Sequence, residues 1–169
     1  MTFKCWMQIL KEVPESILWI LEYPADALPN LRREAEACGV DPDRVVMTPK
    51  AQKAEHINRC YIADLALDNP ITNGHTTSCD QLWSGLPMLT FALTDGMPSR
   101  VASSICAGLE CPEMICDSYD HYQKRAISLA TGGSDDLRDS EKIAYEALPE
   151  RIKNLQGSPA LKLLRYKIE

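Results

Sequence analysis

An α/β fold, a parallel sheet flanked by helices, is predicted by three observations. Short apolar runs alternate with stretches of helical spacing. Most of those runs are continuously apolar, as strands covered on both faces must be. Prolines and glycines mark the joints between them. At 169 residues the chain has the length of one domain and can bury a core without disulfide or metal staples. The expected organisation is an α/β lobe over residues 1–130 and a helical tail over 131–169.

Each element has its own signal. Phe3, Trp6, Met7, Ile9 and Leu10 stand at helical spacing up to Val13-Pro14. "SILWILEY", residues 16–23, reads as a strand. A loop and a helix from about Asn30 follow, stopped by Gly39. "RVVMT", residues 44–48, is a second strand, Lys53–Cys60 a helix, and "DLALD", residues 64–68, a third strand. A turn at Asn73-Gly74 then leads to a helix starting at Thr76 or Thr77, and "MLTFAL", residues 88–93, is the fourth strand. Pro98 opens a helix running to Leu109, and "EMIC" reads as a strand or a turn. Helices over 119–130 and 135–155 complete the chain, with a flexible joint at 131–134 and a break at Gly157-Ser158-Pro159.

Composition narrows the function classes. A net charge of −6 argues against nucleic-acid binding, which wants a basic face. No apolar run approaches the roughly 20 residues of a membrane helix, and "MTFKCWMQILKE" reads neither as a signal nor as a transit peptide. The seven cysteines include no C-x-x-C pair, and the five-residue period of Cys106, Cys111 and Cys116 does not keep them on one helical face. They read as packing thiols rather than a metal site, in a reducing compartment, cytoplasmic or nuclear. The chain contains no G-x-G-x-x-G, no P-loop and no G-x-S-x-G elbow.

Two places carry candidate chemistry. After the third strand, Gly74 lets the backbone approach a ligand, and His75, Thr76 and Thr77 open a helix whose N–H groups suit an anion. The same stretch has a second reading: Thr77-Ser78-Cys79-Asp80 is a capping box, which needs no ligand, and Asn73-Gly74 is common turn chemistry. Lys53, His56 and Arg59, spaced by three, form a cationic stripe with a flat ring, able to stack a base and bond ribose and phosphate oxygens. Its alternative is a solvated helix face. Both loops follow parallel strands, so both are expected at one sheet edge, facing one crevice.

"NPITNGHTTSCDQLWSGLPMLT", preceded by "PKAQKAEHINRCYIADLALD", closely resembles the C-terminal lobe of the eukaryotic protein O-GlcNAc transferase family. "ILKEVPESILWILEYPADALPNL" and "SRVASSICAGL" resemble it in the same order, so the likeness spans residues 2–122, with G-H-T-T-x-x-D-x-L-W-x-G-x-P as its specific core. The resemblance implies a Rossmann-like lobe of a two-lobed GT-B glycosyltransferase. It implies inverting, metal-independent transfer of N-acetylglucosamine from UDP-GlcNAc to serine or threonine hydroxyls of acceptor proteins, with no cofactor. By the same resemblance Ala51 meets the uracil through its backbone, Arg59 through its side chain, and His56 stacks on it. Lys53 and Asp80 hold the ribose, and His75, Thr76 and Thr77 receive the pyrophosphate.

The family also has parts that this sequence does not show. A phosphate-contacting glutamine and lysine precede the segment matching Thr2, and an N-terminal lobe, where the general base is expected, and tetratricopeptide repeats lie further upstream. "SPALKLLRYKIE" only begins to match a long closing helix. The expectation is therefore a donor-binding half of a transferase, inactive by itself. The alternatives are a non-catalytic UDP-binding or protein-interaction module, or a lobe of the related Spindly-type O-fucosyltransferases that use GDP-fucose. Those resemble the chain less at His75 and Asp80. Bacterial relatives share "HTT" but less often "NPITNG".

Overall fold

The computed structural model describes residues 1–132, 139–147, 150–154 and 157–168. The chain groups into two compact units, Met1–His56 and Ile57–Glu169.

In the first unit, α1 (Thr2–Glu12), β1 (Leu18–Leu21), α2 (Ala27–Ala37) and β2 (Val45–Thr48) precede the start of α3 (Lys53–Cys60). The two strands pair in parallel, from Leu18 opposite Val45 to Leu21 opposite Thr48. Met7 and Leu10 of α1, Ala35 of α2, Val40, Leu18 and Val45 form the core. The two-sided burial expected of residues 16–23 is not found. The core gathers at the first residue of each strand, while Trp19 and Ile20 are half-buried and Leu21 is exposed. Apolarity in this run therefore reports strand preference and pairing rather than full cover.

Backbone chemistry sets the ends of these elements. α2 starts at Ala27, before the expected Asn30, because Pro29 sits in its first turn, where a missing N–H costs no helical bond. It stops at Gly39, whose φ of +75° is open to glycine. The Gly39 N–H then donates to the Glu36 carbonyl at 2.8 Å and the Val40 N–H to the Ala35 carbonyl at 3.0 Å. Arg44 closes the end of α1: Nη2 donates to the Leu10 and Val13 carbonyls and Nε to the Ser16 carbonyl, each at 2.8 Å. The orphan carbonyls of a helix end thus meet a cation, as the helix dipole favours.

The second unit holds the rest of α3, β3 (Ala66–Leu67), α4 (Thr76–Trp83), β4 (Met88–Leu89), α5 (Val101–Gly108), α6 (Tyr119–Thr131), α7 (Asp139–Glu146), α8 (Glu150–Lys153) and α9 (Pro159–Ile168). β3 and β4 are parallel, with Ala66 opposite Met88 and Leu67 opposite Leu89. Both are shorter than expected. The ladder runs on through the Asp68 N–H, which donates to the Leu89 carbonyl at 3.0 Å, and stops before Pro70, which has no N–H to give. Thr90 forms a parallel bridge with Ile115, so "EMIC" is a tight turn over Pro112–Met114 followed by a bridging residue.

Phe91 packs edge-on against Tyr119 and Tyr122, ring centroids 4.9 Å and 5.6 Å away, beside the buried Met88, Leu89, Met114 and Leu129. At α9 the Ser158 hydroxyl accepts from the Leu161 N–H at 3.2 Å, and Leu161, Leu163 and Leu164 are buried. Arg165, also buried, donates to the Ala63 carbonyl and pairs with Asp64 at 3.7 Å. Of the helix expected over 135–155, the described parts are α7 and α8; residues 133–138, 148–149 and 155–156 lie outside the described residues, and with them part of the expected joint at 131–134. Among the described residues no helix is long and apolar enough to cross a membrane.

Candidate nucleotide-binding site

The turn between β3 and α4 is held from behind by buried polar groups. Asp68, at the end of β3, is 8% exposed. Its Oδ1 accepts from the Gly74 N–H at 2.8 Å and its Oδ2 from the Thr90 hydroxyl at 2.7 Å. The Tyr122 hydroxyl donates to the Asp68 carbonyl at 3.0 Å. Burial pushes the Asp68 carboxyl above its ordinary range, and the bonds from Gly74 and Thr90 pull it part of the way back.

Asn73 does more than turn the chain. It is buried, its Nδ2 donates to the Asn69 carbonyl at 3.0 Å, and its Oδ1 accepts from the Ala102 N–H at 3.1 Å. It thereby caps the first turn of α5 from a distant part of the sequence, where Arg100 supplies no side-chain cap. Ser99 ties the other side, donating to the Pro70 carbonyl and accepting from the Leu93 and Thr94 N–H groups at 2.9 Å and 3.1 Å.

Gly74 is required by space. A Cβ there would stand 2.3 Å from the Ser78 hydroxyl oxygen and 2.8 Å from that of Thr77, closer than side-chain atoms pack. This close approach lets the backbone fold down onto α4. Ser78 is fully buried beneath it, its hydroxyl oxygen without a partner among the described residues.

α4 begins at Thr76 with His75 in the N-cap position and no side-chain cap. The capping-box reading is therefore corrected. Thr77 lies inside the first turn, so its hydroxyl does not occupy the cap position that the box assigns it. His75, Thr76 and Thr77 are all exposed around this start. A helix start with exposed hydroxyls, an imidazole and no side-chain cap is suited to an anion.

The stripe lies on α3 as the spacing requires, with Lys53 exposed and His56 and Arg59 half-buried; Ala51, half-buried, precedes the helix. The His56 Nε2 is buried without a hydrogen-bond partner among the described residues. Ala51, Lys53 and His56 belong to the first unit, and Arg59, His75, Thr76, Thr77 and Asp80 to the second. Within the second unit Arg59 and Asp80 both influence Cys60 electrostatically. Burial raises the Cys60 thiol, Arg59 opposes this and Asp80 adds to it. The uracil and ribose candidates Arg59 and Asp80 thus both act on the buried thiol that ends α3.

Asp68, Asn73, Thr90, Ser99 and Tyr122 were missed by sequence reasoning. One signal was present: an acid closing an apolar strand, "LALD", is out of place unless something buried bonds it. The buried thiols pack in the interior, burial pushing Cys106 up to about 12 and Cys116 up to about 11, whereas Cys79 is exposed. Among the described residues no three histidine, cysteine or acidic side chains gather in a way that suits a metal ion.

Comparison with known proteins places this geometry in a family. The pattern of glycosyl transferase family 41 matches residues 1–150. The chain is 46% identical over 126 residues to the probable UDP-N-acetylglucosamine–peptide N-acetylglucosaminyltransferase SEC of Arabidopsis thaliana, covering 74% of this chain and 13% of that protein. It is 41% identical over 130 residues to the UDP-N-acetylglucosamine–peptide N-acetylglucosaminyltransferase of Caenorhabditis elegans, covering 77% of this chain and 11% of that protein. To the probable transferase SPINDLY of Solanum lycopersicum it is 27% identical over 133 residues, covering 76% of this chain and 14% of that protein. The chain thus spans about an eighth of the curated relatives it matches. A mutant of the Thermobaculum terrenum O-GlcNAc transferase shares the fold at a TM-score of 0.72 and 22% identity, over 98% of this chain and 28% of that one. The parallel α/β architecture, the turn before α4 and these matches lead to one conclusion: the chain belongs to glycosyl transferase family 41.

Proposed function

We propose that this chain is the donor-binding part of a protein O-GlcNAc transferase, holding the UDP of UDP-N-acetylglucosamine while the sugar passes to serine or threonine hydroxyls of proteins. The observation that carries this reading is the α4 start without a side-chain cap, ringed by His75, Thr76 and Thr77, in a chain 46% identical to a relative named for that reaction. The diphosphate sits at this start, bonded by first-turn N–H groups and the two threonine hydroxyls. His56 stacks on the uracil, the Ala51 backbone and Arg59 bond it, and Lys53 and Asp80 hold the ribose.

The chemistry follows from the leaving group. As the acceptor hydroxyl attacks the anomeric carbon from the opposite face, the sugar–phosphate bond breaks and negative charge gathers on the departing diphosphate. Preorganised N–H and hydroxyl donors stabilise that charge, a role a metal ion plays in other transferases, so the reaction is inverting and metal-independent. No residue of this chain is assigned as the general base. Transfer needs such a base as well as a donor site, so the residues placed here bind nucleotide without by themselves transferring sugar. The compartment that suits seven free thiols is the cytoplasm or nucleus.

Replacing both Thr76 and Thr77 with valine tests the anion site. The variant should keep its fold by circular dichroism and lose about tenfold in affinity for UDP, on the order of one charged hydrogen bond. Unchanged affinity would remove α4 from the site. Incubating the chain with UDP-GlcNAc and an acceptor peptide should give no glycopeptide by mass spectrometry, and turnover would contradict the claim that it is inactive alone.

A further inference from the structure

We propose that Asp68 is the positioning residue of the diphosphate turn: through Gly74 it sets where the first turn of α4 meets the anion. This rests on the nucleotide reading above.

Asp68 touches no part of the exposed site, yet four segments converge on it. Its N–H pairs with Leu89 of β4, its carbonyl accepts from Tyr122 of α6, and its two carboxylate oxygens accept from Thr90 and Gly74. Three of these contacts anchor it to the core. The fourth reaches Gly74, the residue before the His75 cap position of α4. A buried carboxylate is costly, and an apolar side chain of similar volume often serves stability as well. A carboxylate differs in offering two acceptor positions in fixed geometry, one for the core and one for the turn.

The same bond explains which groups face the ligand. The Gly74 N–H is turned to the carboxylate behind it, so the anion is met by the N–H groups that follow, in the first turn of α4. Asp68 is then not a ligand but the support that aims them. Gly74 has no room to adjust by itself, since a single added carbon would collide with Ser78 and Thr77.

The test compares Asp68→Asn, Asp68→Ala and Thr90→Val in the full chain, with UDP and inorganic pyrophosphate as probes and the backbone amide NMR spectrum as a second readout. Asparagine keeps an acceptor oxygen for Gly74 and a partner for the Thr90 hydroxyl, so Asp68→Asn should bind both probes within about threefold of the unaltered chain. Asp68→Ala should lose about tenfold or more and shift the Gly74 amide and those of the first α4 turn, leaving α1 and α9 resonances in place. Asp68→Ala that binds as well as the unaltered chain would overturn the proposal. If that variant does not fold, Thr90→Val decides: a loss of about fivefold or more supports the role and affinity within about threefold of the unaltered chain refutes it. If the unaltered chain binds neither probe, the nucleotide reading falls by itself. The Gly74 amide of Asp68→Asn and Thr90→Val then judges the positioning claim, which an unmoved resonance in Thr90→Val would overturn.

Discussion

Gly74 and Asp68 show how a single position shapes this site. Gly74→Ala forces a Cβ to within 2.3 Å of Ser78, so the turn must lift. Overpacking of this kind costs about 1–3 kcal/mol, to be read from urea unfolding together with a fall in UDP affinity. Asp68 makes a prediction about pH. Its folded-state value is raised above the ordinary 3.8, so its contribution to stability is full below that value and is lost as pH rises through the raised one. As pH rises above the ordinary carboxylate range, the stability of Asp68→Asn should therefore improve relative to the unaltered chain; a difference constant with pH would contradict this. The glycine was legible in the sequence because a turn next to a helix start needs close approach. For the aspartate the acid closing "LALD" signals only that something buried bonds it, and its partners Thr90 and Tyr122, 22 and 54 residues away, are not encoded locally.

Helices were legible as elements, and their ends less so. Gly39 marked the stop of α2 correctly because a positive φ is a property of one residue. The start of α4 was open between Thr76 and Thr77, and the capping-box motif alone favoured the reading that the structure overturns. A four-residue motif does not say which of its residues stands at the cap. Strands were placed in the right segments but drawn too long, since pairing ends where the partner turns away and not where apolar residues end. Arg44 could not be assigned a role from sequence, as the groups it bonds at and beyond the end of α1 are 28 to 34 residues away. Replacing it with methionine should destabilise the chain by about 2–3 kcal/mol through loss of charged hydrogen bonds. An unchanged midpoint in urea would mean that α1 closes without it.

The molecule as a whole realises the predicted α/β class, with parallel pairing in each unit and helices between the strands. That class was legible because alternation and apolar runs are spread over the whole chain, whereas the grouping into Met1–His56 and Ile57–Glu169 leaves no mark in composition. Thiol reactivity reports on this packing. Cys79 is exposed and Cys38 half-buried, while Cys5, Cys60, Cys106, Cys111 and Cys116 are buried. Iodoacetamide at neutral pH should label Cys79 first and Cys38 more slowly, with the other five reacting only after denaturant is added, as peptide mass spectrometry can follow. Early labelling of Cys106 would contradict the packing of α5.

The central claim, that this chain holds the nucleotide of a sugar donor, is tested most directly by calorimetric titration of UDP and then GDP into the folded chain, with His56→Ala beside it. The account predicts that UDP binds in preference to GDP and that the alanine variant loses that binding while keeping its fold. Equal binding of both nucleotides, a preference for GDP, or UDP binding untouched in His56→Ala would contradict it.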